Sequence, residues 1–117
     1  MDNTEFKRME VELPIKKVSK ETIEKVGGEK NLRRLELPKD DLGEEIIEVI
    51  ACIPTRHVMG LYLKHQQINP AKAQEILVKN CILTDLEEVL QDDGLFLSAL
   101  SQIVELIPIR EGKIKKY

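Results

Sequence analysis

The residues most able to ligate a metal or attack an electrophile in this chain are two cysteines, Cys52 and Cys81, and two histidines, His57 and His65. The histidines lie about two helical turns apart, whereas two imidazoles that share one zinc on a helix stand a single turn apart. Neither cysteine belongs to a CxxC pair, so the spacing predicts no metal centre. Cys52 and His57 fall across a predicted strand-to-helix corner, where a thiol and its base could meet. A reactive thiolate needs an electropositive, partly open setting. Ile50, Ala51 and Ile53 around Cys52 have the character of core instead, and Cys81 falls on the apolar stripe of a helix. The adjacent carboxylates Glu87-Glu88 and Asp92-Asp93 point in different directions on a helix, and a helix start accounts for the second pair. No GxGxxG or GxxxxGK[ST] phosphate loop occurs, and Gly27-Gly28 suits a helix stop. No cofactor and no enzymatic role are expected.

Nucleic acid is disfavoured as a partner. Residues 40–109 carry twelve Asp/Glu against four Lys/Arg, a net charge of −8 in a chain whose total is −3. A duplex-binding surface needs clustered cations to replace phosphate counterions. In a helix-turn-helix reading of residues 69–90, the segment entering the groove would be Thr84 to Leu90, with Asp85, Glu87 and Glu88 facing the phosphates. Four aromatic residues and no Trp leave few platforms for stacked bases. The longest apolar runs, such as Val49 to Pro54, are far shorter than the roughly 20 residues of a bilayer-crossing helix. No signal-peptide-like run opens the chain, so the expectation is a cytoplasmic protein with reduced, buried thiols.

The elements that would position these residues follow from periodicity and caps. Residues 1–18 form an expected extended arm, with alternation from Met9 to Ile15 and Pro14 suited to an edge. Residues 19–109 form one expected domain, and residues 110–117 a basic tail. Ser19 begins a short helix to Val26. Asn31 to Leu37 and Glu45 to Ile53 predict a hairpin, and the second strand is apolar on both faces, as a strand covered on each side would be. Thr55 caps a helix to about Gln67, and Asn69-Pro70 opens one to about Cys81. Thr84 and Glu87 match a capping box for a segment to Leu90. Asp92-Asp93 begin a last helix to about Leu106, with Phe96, Ala99, Leu100, Ile103 and Ile107 as its inner stripe. The predicted class is α+β: an N-terminal β-hairpin packed with a small antiparallel bundle of about three helices.

Apolar residues exceed what one stripe per helix uses. Ile46, Ile50, Leu63, Ile68, Leu86, Val89 and Leu90 are therefore candidate protein contacts, for self-association or for a partner.

Pro54-Thr55-Arg56, Asn69-Pro70 with Lys72-Ala73 and Glu75-Ile76-Leu77, Asn80-Cys81, the run Asp92-Asp93-Gly94-Leu95-Phe96-Leu97, and Leu106-Ile107 before Glu111-Gly112 together carry a resemblance. Preceded by the hairpin, the chain resembles small tail-assembly chaperones of tailed phages and prophages of Bacteroidetes-type hosts. It departs from that pattern at Ile82-Leu83-Thr84-Asp85, where the family pattern implies a glycine-containing loop. The resemblance implies a non-enzymatic, self-associating protein that keeps a tape-measure protein soluble while the tail tube polymerises. Arg56, Asp92, Asp93 and Phe96 are matched positions without an implied contact role. The alternatives are a virion structural or tail-completion protein, or another small protein-interaction domain.

Overall fold

The computed structural model describes residues 17–117, and the expected arm lies, apart from its last two residues, outside them. The first element is a short helix, α1 (Lys20–Lys25), capped by Ser19, whose hydroxyl accepts the Thr22 N–H at 3.2 Å. It ends where Gly27 takes φ 100°, a conformation that costs glycine no Cβ clash. The Gly28 N–H then reaches back to the Ile23 carbonyl at 2.8 Å and satisfies one of the helix's last acceptors. A 3₁₀ turn (Glu29–Asn31) leads into β1 (Leu32–Pro38), which pairs antiparallel with β2 (Ile46–Cys52), so the α+β class holds.

The register sets Leu35 against Val49 and Leu37 against Ile47, and this face is the floor of the core. The opposite face carries Arg34, Glu36, Glu48, Ile50 and Cys52. The expectation that both faces of β2 are covered is met, since Glu48, Ile50 and Cys52 are all buried. Glu48 is 7% exposed, and its Oε1 accepts from Arg34 Nε at 3.1 Å and Nη2 at 2.9 Å. A buried carboxylate left without such a partner would be strongly destabilising.

The free edge of β2 is closed by the segment after α3. Leu83 N–H donates to the Ile50 carbonyl at 2.8 Å, Ala51 bridges Ile82, and Ile50 N–H donates to the Thr84 hydroxyl at 2.9 Å. Ile82-Leu83-Thr84 thus forms a strap along the edge of β2. It also overturns the capping-box expectation, because the Thr84 hydroxyl is turned to β2 and Asp85, at φ 56°, is the N-cap residue, with no side-chain cap bond. At the outer edge of β1 the even-numbered residues direct their peptide groups away from β2, as the Asn31–Ile53 and Lys39–Glu45 hydrogen bonds require. Two of those carbonyls are engaged by side chains: Leu32 by Arg33 Nη1 at 2.7 Å and Glu36 by Gln102 Nε2 at 3.0 Å.

Four further helices complete the domain: α2 (Arg56–Gln66), α3 (Pro70–Cys81), α4 (Leu86–Gln91) and α5 (Asp93–Leu106). Thr55, Asn69 and Asp92 cap α2, α3 and α5 as their sequences predict, and the Asp92 carboxylate accepts from both Gly94 N–H and Leu95 N–H. Leu77, Val78 and Cys81 of α3, Val89 of α4 and Leu95, Ala99 and Ile103 of α5 are fully enclosed against the sheet. Each large side chain among them contributes about 1.5–3 kcal/mol of burial. The inner stripe of α5 holds at Ala99 and Ile103, with Phe96 and Leu100 half-buried against the same core; Leu95 joins it, and Ile107 lies past the helix end. Ala99, without bulk of its own, lets α5 approach the sheet closely. Beyond Leu106 there is no regular secondary structure, and Ile109 to Tyr117 are exposed.

Candidate functional site

The chemistry-bearing residues come together only in part. His65, near the end of α2, places Nδ1 2.9 Å from the Leu61 carbonyl, an intrahelical contact that gives it a structural occupation. His57 is exposed in the first turn of α2 and helps to line a cleft of about 530 Å³ shared with Thr22, Lys25, Thr55, Lys79 and Cys52. Among the described residues no group of three or more His, Cys, Asp or Glu could hold a metal ion. Asp92 is occupied as the cap of α5, and Asp93 sits in its first turn at the positive end of the helix dipole.

The cysteines do meet. Both are free and buried, and each perturbs the other. A hydrogen bond from Cys81, aided by the backbone amide and opposed by burial, holds the Cys52 thiol below its ordinary range. The same hydrogen bond, together with burial and the neighbouring charge, pushes Cys81 far up. Sequence reading treated them as two separate core thiols; their proximity depends on the strap register, which local periodicity does not encode.

The seven candidate contact residues divide sharply. Ile68 is 81% exposed and Leu63 58%, at the end of α2 and in the turn after it, and Ile46 opens β2 at the surface. Ile50 and Val89 are corrections: both are buried, Ile50 in a recess it shares with Val18, Ile23 and Leu32, and Val89 because α4 turns it fully into the core. Leu86 and Leu90 are half-buried against that same core.

A more coherent apolar surface lies on α5, where the sequence reading placed no contact. Leu97 is 58% exposed and Val104 45%, and with half-buried Leu100 and Ile107 they are spaced by three, four and three residues. That spacing keeps side chains in one seam along a helix and is the pattern by which one helix receives another. The signal was present in the sequence: α5 carries Leu95, Phe96, Leu97, Ala99, Leu100, Ile103, Val104 and Leu106, more than one buried stripe uses. At its N-terminal end the seam meets an acidic corner. The hairpin loop brings Asp40 and Asp41 to the same shallow recess as Asp92, and residues 85–93 contain five acidic residues and no basic one. Lys39 ties this corner to α4 through Glu88 at 3.5 Å.

No described helix is long and apolar enough to cross a membrane. No protein-family model, curated protein or solved structure matches the chain.

Proposed function

We propose that this chain is a non-enzymatic binding protein that shelters an apolar helical segment of another protein, with the outer seam of α5 as the docking strip. The observation that carries the reading is the pair of exposed side chains Leu97 and Val104, two turns apart on a helix whose other face is already sealed in the core, with half-buried Leu100 between them and Ile107 at the helix end. An amphipathic client helix would lay its own apolar stripe along that row. The acidic corner at Asp40, Asp41 and Asp92 favours a client with basic residues at one end, and net negative charge keeps the loaded complex soluble. Such a role agrees with the resemblance to tail-assembly chaperones, whose client is the long helical tape-measure protein. Ile46, Leu63 and Ile68 extend the apolar surface available to a client or to a second copy of the chain.

Co-expression with a tape-measure protein tests the reading. The native chain is expected to move that client into the soluble fraction and to co-purify with it, and the paired substitution Leu97→Asp with Val104→Asp is expected to abolish both effects while leaving the helical circular-dichroism signal intact. Equal solubilisation by native and substituted chains would remove α5 as the docking strip, and a client that stays insoluble with either would remove the function.

A further inference from the structure

The two thiols are the reactive groups that the binding function leaves unused. β2 and the strap run antiparallel, with Ala51 bridged to Ile82 and the Leu83 N–H on the Ile50 carbonyl. Cys52 follows the bridged Ala51 and Cys81, the last residue of α3, precedes the bridged Ile82, so the two cysteines flank the bridge on the same side. Facing residues of an antiparallel bridge have Cα atoms about 4.5–5.5 Å apart, and the cysteines lie one residue beyond such a pair, which brings them toward the span of about 4.4–6.8 Å that a disulfide bridges. The side chains agree with the backbone: Cys52 Sγ donates to the carbonyl of Asn80, the neighbour of Cys81, at 3.7 Å.

Access separates the two sulfurs. Cys52, 2% exposed, lines the cleft that Lys25, His57 and Lys79 also line, whereas Cys81 has no exposure and does not line it. Cations lining the cleft favour an anionic reagent and a thiolate there. Hydrogen bonding from Cys81 acts in the same direction on Cys52, while Cys81 stays protonated.

We propose that Cys52 and Cys81 are a thiol–disulfide pair, oxidised to an intrachain disulfide by exchange with a small anionic disulfide that enters the cleft beside His57 and Lys79. The Cys52 thiolate attacks one sulfur of the reagent, forms a mixed disulfide and expels the first reagent thiolate. Cys81 then gives its proton to a base, attacks the Cys52 sulfur and expels the second thiolate. The two protein thiols are oxidised, the reagent disulfide is reduced to two thiols, and two protons leave the protein. The bond fastens the end of α3 to β2 beside the strap, so oxidation stiffens the junction between helices and sheet. This inference is independent of any client.

The test uses the full chain and glutathione disulfide as the probe, followed by alkylation of remaining thiols in denaturant and tryptic mapping. Peptides 40–56 and 80–110 are expected to appear joined, with both thiols lost, and the melting temperature of the oxidised chain is expected to rise by on the order of ten degrees and to fall back with dithiothreitol. Cys81→Ser should stop at a glutathione adduct on Cys52, and Cys52→Ser should leave Cys81 unmodified while folded. If either variant fails to fold, the native chain still decides through its peptide map. Two free thiols after equilibration with excess probe, a persistent adduct on Cys52 beside a free Cys81, or a linkage found only between two chains would each overturn the proposal.

Discussion

Along α5, Leu95, Ala99 and Ile103 are fully enclosed, while Leu97 and Val104, of the same chemical class and one or two positions away, stand open to solvent. Composition does not separate the two sets. What separates them is which side the sheet and the neighbouring helices occupy. The inner row consequently works for stability, while Leu97 and Val104 stand outside the core cluster. An apolar residue that costs nothing to remove from the fold is available for work outside it.

Four substitutions would break or sharpen this contrast. Ile103→Ala empties a site with no exposure, and urea denaturation is expected to show a loss of about 3–4 kcal/mol. A loss below about 1 kcal/mol would mean that the inner row is not the core of the domain. Thr84→Val keeps the shape of the strap but leaves the Ile50 N–H unpaired, and is expected to cost about 1–2 kcal/mol and to speed exchange of the Ile50 amide. Asp92→Ala removes the acceptor of two amides at the start of α5 and is expected to cost about 1 kcal/mol, read as a fall of roughly 4–8 °C in melting temperature. Leu97→Ala, on the outer row, is expected to change stability by no more than about 0.5 kcal/mol while weakening client retention in the co-purification assay. A loss as large as that of Ile103→Ala would show that both rows are core and that no docking strip exists.

Most of the element pattern was legible because its signals are local. Ser19, Thr55, Asn69 and Asp92 each mark a helix start through side-chain oxygens a few residues from the amides they accept, and Gly27 marks a stop through its positive φ. Failures came where a residue answers to something distant in the chain. Thr84 has the spacing of a capping box, yet its hydroxyl is claimed by Ile50, 34 residues earlier. Ile50 and Val89 look surplus when each element is counted alone, yet both are buried, Ile50 beside Ile23 and Leu32 and Val89 in the core. On α5, Ala99 and Ile103 follow the expected stripe, but Leu95 does not stand out, because a helix apolar on most sides gives periodicity little to grip. Cys52 and Cys81 were each recognised as buried, but only the strap register makes them neighbours.

The outer edge of β1 has a consequence for how copies of this chain can gather. A guanidinium sits on one outward carbonyl, a carboxamide on another, and the strand finishes in Pro38, which has no N–H to offer. An incoming backbone would have to evict both side chains before it could hydrogen-bond there, so ribbon-like stacking is discouraged. Were copies of this chain to meet, side-chain contacts between helices would be the easier route, and such contacts are reversible in a way that fibre growth is not.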